Sequence, residues 1–208
     1  MELVTLIDKL AEEHKLSKEE YITLLTNCGV EEAAYLAKKA RAEKEKHYGN
    51  SVFIRGLIEI SNICKNDCYY CGIRRSNQNC ERYRLTEEDI LECCKEGYEL
   101  GFRTFVLQGG EDGYFTDERL VNLLHNMKAN HPDCAVTLSL DERSKESYKL
   151  LKEAGADRYL LRHETANEEH YGKLHPAELS WKHRMECLKW LRECGYQVGA
   201  GFMVGSPH

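Results

Sequence analysis

From position 52 onward, short apolar runs and amphipathic stretches alternate five times, and no other property of the chain limits its fold so closely. Val52–Ile60, Thr104–Leu107, Ala135–Leu140, Arg158–Leu161 and Val198–Val204 are strand-length and rich in apolar residues. Thr86–Leu100, a face marked by Leu120, Leu123, Leu124 and Met127, Ser144–Ala154 and Ser180–Cys194 have helical spacing. Thr86 with Asp89 signals a helix start, and Gly101, Gly155 and Gly195 signal stops. Repeated strand–helix units imply a parallel sheet covered by helices, and the expected fold is an α/β barrel of the TIM type. A closed barrel takes eight units. About five are present, so residues 51–208 are expected to be the N-terminal part of an incomplete barrel whose C-terminal part is absent. Residues 1–50 read instead as an N-terminal helical cap. Leu3, Leu6, Ile7 and Leu10 recur at helical spacing, Ser17 and Glu20 form a capping box, Gly29 ends that second helix, and an Ala- and Lys-rich helix runs on to about His47.

The loop after the first strand carries the chemistry. Residues 59–72, EISNICKNDCYYCG, place Cys64, Cys68 and Cys71 in a C-x3-C-x2-C run. Three thiolates in so short a loop suit three corners of a cubane iron–sulfur cluster, whose irons take cysteine ligands. Cys80 is the nearest fourth cysteine, across a polar stretch, and is not read as a ligand. One iron is therefore left open for chemistry. The competing reading is a structural zinc site, which wants four protein ligands in paired spacing, and no second pair lies nearby. His163, His170, His175 and His183 lack metal spacing and are read as non-ligands. Cys28, Cys93, Cys94, Cys134, Cys187 and Cys194 fall within or at the ends of regular segments and are read as small apolar residues.

In a βα barrel, functional residues gather at the carboxyl ends of strands. Here those ends are the cysteine loop, QGGED at 108–112, SLDE at 139–142, RHE at 162–164 and MVGSP at 203–207. Thr137 and Ser139 share one strand face by the two-residue period and are expected to point inward. Glu164 is placed to accept hydrogen bonds from a pair of hydroxyls. Arg184, early in the next helix, suits a carboxylate as a two-pronged donor. Both would otherwise be ordinary solvated charges.

Composition removes several classes. A formal net charge of −6 over 208 residues argues against nucleic acid as the main partner. No apolar run approaches the roughly 20 residues of a membrane helix, and the charged, periodic amino terminus lacks the layout of a signal peptide. Ten cysteines then read as reduced thiols, and the expected location is cytoplasmic.

The cysteine spacing, with the aromatic Tyr70 before the last cysteine, resembles the signature of radical S-adenosylmethionine (SAM) enzymes. HYGNSVFIRGLIEISNICKNDCYYCGIRR, RYRLTEEDI, VLQGGED, VTLSL, AGADRYLLRHETAN and LRECGYQVGAGFMVG extend the resemblance to the [FeFe]-hydrogenase H-cluster maturation (HydE) family of the biotin synthase-like branch. That resemblance implies a [4Fe–4S] cluster and SAM, whose amino and carboxylate groups chelate the open iron and which is cleaved reductively to a 5′-deoxyadenosyl radical. It implies SAM contacts from Tyr70, Gly109, Gly110, Glu111, Thr137, Ser139, Glu164, Arg184 and Met203. It implies a substrate cavity lined by Gln108, Arg158 and Arg162, with two arginines at one strand end suiting an anionic iron complex or a carboxylate. The implied substrate is a small iron–cysteine complex carrying carbonyl and cyanide. The implied partners are a reductant such as ferredoxin or flavodoxin and other hydrogenase maturation proteins, with neither nucleic acid nor membrane. Gly109 departs from the family pattern, where Ser is frequent. Two alternatives stand beside this reading: another biotin synthase-like or methylornithine synthase-like radical SAM enzyme, and a non-catalytic Fe–S- or zinc-binding remnant.

Overall fold

The structure, a computed structural model, describes residues 3–206. Pro207, the last residue of the MVGSP strand end, lies outside the described residues. The chain forms two compact units that divide between Phe53 and Ile54.

The first unit is three helices: α1 (Leu3–Glu13), α2 (Lys18–Asn27) and α3 (Val30–Tyr48). Leu6, Ile7 and Leu24 are buried, packed by Leu3, Leu10, Leu16, Tyr35 and Leu36. The α2 capping box forms in both directions: the Glu20 amide donates to Ser17 Oγ at 3.2 Å and the Ser17 amide to Glu20 Oε2 at 2.8 Å. Gly29 does not close α2 as its sequence suggests. Cys28 caps that helix in an extended conformation, and Gly29 is the N-cap of α3, its amide bound by Glu32 Oε2 at 3.0 Å. With two glutamates in the next turn, a cap at the start of a helix wins over one at its end.

The second unit is a five-stranded, all-parallel sheet in sequential order: β1 (Gly56–Ser61), β2 (Thr104–Gly109), β3 (Ala135–Ser139), β4 (Arg158–Leu160) and β5 (Gln197–Gly199). Between them run α4 (Glu87–Glu99), α5 (Asp117–Asn130), α6 (Lys145–Glu153), α7 (Glu168–Leu174) and α8 (Trp181–Glu193). One sheet face packs against helices. Ile58, Ile60, Phe105, Leu107, Val136, Leu138 and Tyr159 meet Ile90, Leu120, Leu124, Tyr148, Leu151 and Leu191 in a single core. The other face is layered and mostly polar, with Leu57 and Val106 among its apolar members. Strand register puts Val106, Thr137, Arg158 and Gln197 in one layer, with Glu59, Gln108 and Ser139 in the next layer toward the carboxyl ends.

Two strand boundaries and one helix differ from the sequence reading. The first strand begins at Gly56, not Val52; Val52, Phe53 and Ile54 are 81%, 67% and 70% exposed. An apolar run makes a strand only where a neighbour can bond it, and the first residue of β1 paired with β2 is Gly56, opposite Phe105. The fifth strand stops at Gly199 because the strand beside it is three residues long; Phe202 meets Glu164 only as an isolated bridge. The short helix α7 was not anticipated. Its signal is Asn167, whose side chain accepts from the His170 amide at 2.9 Å, followed by two glutamates.

Candidate cluster and cofactor site

A cavity of about 500 Å³ opens at the carboxyl ends of the strands. Its walls include Cys64, Cys68 and Cys71 on one side and Ser139, Asp141, Arg162, Glu164, Arg184 and Met203 on the other, with Gln108, Gly109 and Gly110 between them.

The cysteine loop starts at a register shift in β1 between Glu59 and Ser61. Such a bulge re-aims the chain beside a site. The turn after β2 docks against the loop. The Gly110 amide donates to Ser61 O at 3.1 Å, the Lys65 amide to Glu111 O at 3.1 Å, and the Glu111 amide to Cys64 Sγ at 3.4 Å. Gly110 is required by this approach: a Cβ there would lie 2.3 Å from Ile63 O and 2.7 Å from Cys64 Cβ. Beneath the turn, Asp112 is held by two bonds from Arg84, both 2.8 Å, and by Ser61 Oγ at 2.7 Å. The turn cannot shift without breaking these bonds to the buried Asp112 carboxylate.

Among the described residues, no three His, Cys, Asp or Glu side chains converge as a single metal ion requires. A cubane takes each cysteine on a different iron, so its thiols need to surround a volume rather than meet at a point. The donor set fits that group: three thiols around one cavity, one already accepting an amide hydrogen bond. Burial raises the Cys64 thiol above its ordinary value. It pushes Cys68 up to about 12, with Asp141 and the neighbouring cysteines adding to the rise and Arg184 opposing it. Iron must therefore displace protons to bind these sulfurs. Cys80 is not among the cavity's walls; it lies 3.6 Å from Asn62 Nδ2.

Opposite the cysteines is a charge cluster built on a buried arginine. Arg184, 6% exposed, places Nη1 2.5 Å from Asp141 Oδ1 and Nε 2.7 Å from Glu142 Oε1, and it donates to Arg162 O at 3.1 Å. Burial works against its charge, but Asp141 and Glu142 outweigh it and hold the guanidinium protonated. The solvated-charge reading of Arg184 is thereby overturned. Glu164 sits at φ 60°, in the left-handed region, its amide bound to Gly201 O at 3.1 Å and its carbonyl to the Met203 amide at 2.8 Å. Burial raises its carboxyl above the usual range, with Arg162 and Arg184 opposing. Tyr70 also lines the cavity. Its hydroxyl lies 3.2 Å from His175 Nε2, while His175 Nδ1 is 2.9 Å from Tyr171 O. A carbonyl can only accept, so Nδ1 carries the proton and Nε2 accepts from Tyr70.

Of the residues singled out by sequence, the cavity gathers the three cysteines, Tyr70, Gln108, Gly109, Gly110, Ser139, Arg162, Glu164, Arg184 and Met203. Three lie outside its walls. The Glu111 carboxylate turns onto the cysteine loop, bonded by the Asn66 amide group and 3.0 Å from Lys65 Nζ. Thr137 faces inward as expected, but it and Arg158 pair one layer deeper in the sheet. Arg158 begins β4 whereas Arg162 follows its end, so the two arginines do not share a strand end; Arg158 bonds Gln197 Oε1 at 2.7 Å. The sequence reading missed Asp141, Glu142 and His175. The SLDE strand end was the available signal for the first two. For His175 there was none, because its partner lies 105 residues away.

Residues 58–208 match the family model of the Radical SAM superfamily, and the chain belongs to that superfamily, whose members use a [4Fe–4S] cluster and SAM. It is 47% identical over 83% of its length to the [FeFe] hydrogenase maturase subunit HydE of Thermotoga maritima, covering 49% of that protein. It is 32% identical over 95% of its length to the 3-methylornithine synthase of Methanosarcina acetivorans, covering 56% of it. A crystal structure of methylornithine synthase (PylB) superposes with a TM-score of 0.87 at 31% identity, covering 96% of this chain and 59% of that one. The chain thus spans about half the length of the curated relatives it matches.

Proposed function

We propose that the chain is the N-terminal part of a HydE-like radical SAM enzyme of [FeFe]-hydrogenase maturation: a helical cap followed by the first five βα units of a barrel. The observation that carries this reading is the meeting, in one cavity, of the three motif cysteines with Glu164 and Arg184 from the fourth βα unit, far along the chain. When bound, the cluster and SAM supply one-electron chemistry, the reductive cleavage of SAM to methionine and a 5′-deoxyadenosyl radical. The chain's own residues bind and orient. Cys64, Cys68 and Cys71 hold the cluster. Gly109 and Gly110 let a ligand approach the backbone closely. Arg184, already charged and fixed by Asp141 and Glu142, is poised for the SAM carboxylate, and Glu164 for the ribose hydroxyls. Gln108 and Arg162 flank the space left for an anionic iron–cysteine complex, with Arg158 one layer below. A ferredoxin or flavodoxin would deliver the electron, in the cytoplasm and alongside other maturation proteins.

The 47% identity to a HydE protein favours this substrate. The fit to methylornithine synthase favours a second reading, methylornithine synthesis in the same cavity. Anaerobic reconstitution tests the common ground. Cys64→Ala, Cys68→Ala and Cys71→Ala should each lose the cluster, while Cys80→Ala keeps its iron. Loss of iron from Cys80→Ala would refute the three-cysteine site. Hydrogenase activation in a maturation assay, against formation of methylornithine, separates the two readings.

A further inference from the structure

Behind the cysteine loop runs an irregular stretch, residues 72–85, that the function described so far does not use. One side chain organises it. Arg82 Nη1 donates to Asn62 O at 2.6 Å and to Ile73 O at 2.9 Å; Nη2 donates to Arg74 O at 2.8 Å and to Asn77 O at 3.1 Å. The four carbonyls come from both flanks of the motif. Asn62 stands two residues before Cys64, and Ile73, Arg74 and Asn77 follow Cys71. A single guanidinium therefore ties together the two chain segments between which all three cysteines are strung.

The same junction is laced a second time. Asn62 Nδ2 donates to Glu81 O at 2.7 Å, and Asn62 Oδ1 accepts from the Tyr83 amide at 2.8 Å. Within the loop, the Arg75 amide donates to Asn66 O at 2.9 Å, the Ser76 amide to Asp67 Oδ1 at 3.0 Å, and Asn77 Nδ2 to Gly72 O at 2.7 Å. Only arginine can play the central part. Its guanidinium is always charged and presents five donors in a rigid fork, whereas lysine offers three donors on a flexible stem. Charge-assisted bonds of this kind are roughly twice as strong as neutral ones. The loop contains no helix or strand between Ser61 and Glu87, so these bonds replace the ladder that regular structure would supply.

We propose that Arg82 is a positioning residue for the cluster, clamping the two flanks of the cysteine loop so that Cys64, Cys68 and Cys71 keep their spacing before iron arrives. It touches neither metal nor SAM and acts through the backbone that carries the thiols. The proposal rests on the cluster reading above, and its test is arranged so that the two can fail separately. Arg82→Gln and Arg82→Lys are compared with the wild-type protein, first without metal. Amide hydrogen exchange across residues 62–83 should quicken at least tenfold in Arg82→Gln and less in Arg82→Lys, with strand amides unchanged. Unaltered loop exchange would overturn the clamp whether or not a cluster forms. After anaerobic reconstitution, loss of iron to a chelator should be at least tenfold faster in Arg82→Gln, with partial rescue by Arg82→Lys, and the reduced cluster's EPR line shape should change. Wild-type release and wild-type line shape in Arg82→Gln would overturn the positioning role. If Arg82→Gln fails to fold, the same comparisons are read on Arg82→Lys, where equality with wild type is the refuting result. A wild-type protein that takes up no cluster refutes the cluster reading instead and leaves the exchange result standing.

Discussion

Asp141 takes a left-handed backbone, φ 61°, although it is not glycine. Strain of that kind costs of order 1–3 kcal/mol and persists where surroundings enforce it. Here Tyr159 Oη donates to Asp141 O at 2.8 Å and Arg184 grips its carboxylate. Arg184→Ala would leave the part-buried Asp141 and Glu142 carboxylates without their guanidinium, so we expect it to lose about 1–3 kcal/mol of stability as well as SAM binding. Glu164→Gln is the cleaner probe. It removes a charge-assisted contact and should weaken SAM binding by about 1.5–3 kcal/mol, roughly ten- to hundredfold, as measured by equilibrium titration. Its effect on stability has a definite sign. Burial raises the Glu164 carboxyl, so the folded state is penalised fully above that raised value, and the penalty vanishes below the ordinary one. Glu164→Gln should therefore melt no lower than wild type at pH 7, with the difference closing as pH falls toward about 4. Unchanged affinity would show that the Glu164 carboxylate makes no contact with SAM. At this scale the sequence was most legible where residue type is dictated by chemistry, as for the cysteines and Gly110. It was least legible where a role comes from a distant partner, as for His175, Asp141 and Arg82.

Elements were legible where their ends carried caps. Thr86 and Ser144 each start a helix, and Gly101 and Gly155 follow helices at φ 96° and 114°, whereas Gly29, read as a stop, starts one. Strand lengths were not, because a strand ends where its neighbour ends, and that is fixed by register rather than by its own residues. The register also explains why period-two alternation put Thr137 on the right face yet outside the cavity. It reports the face but not the depth. Packing behind the sheet then reaches the site through tyrosines. Tyr159 is fully buried edge-on between Tyr148 and Tyr196, at centroid distances of 5.1 and 5.7 Å, and its hydroxyl fixes the turn after β3. Tyr159→Phe keeps the packing and removes that hydrogen bond. We expect a loss of about 1 kcal/mol in denaturant unfolding, with SAM affinity lowered as Asp141 loosens. An affinity that stays at the wild-type value would separate the core from the site.

At the scale of the molecule, the sheet leaves β1 and β5 with one neighbour each among the described residues, and the mostly polar inner face carries Glu59, Gln108 and Ser139. A closed barrel would cover both edges and shut the cavity. A radical must be kept from water and stray hydrogen donors. We expect residues 1–208 alone to self-associate through the bare edge and to cleave SAM without coupling it to a product. A form extended by three further βα units should be monodisperse and coupled. A monomeric short form with equal coupled turnover would refute the eight-strand architecture. The alternation of strands and helices made this plan legible from the outset, since five repeats of one unit admit few packings. The helical unit at residues 3–48 carries no comparable functional signal. The proposed chemistry turns on three cysteines that hold a cluster with one iron open to SAM. Its most direct test is the EPR spectrum of the anaerobically reconstituted, reduced protein, recorded before and after SAM is added. We expect a [4Fe–4S] signal whose line positions shift with SAM and which is absent in Cys68→Ala. A cluster signal indifferent to SAM, or one that survives in Cys68→Ala, would contradict it.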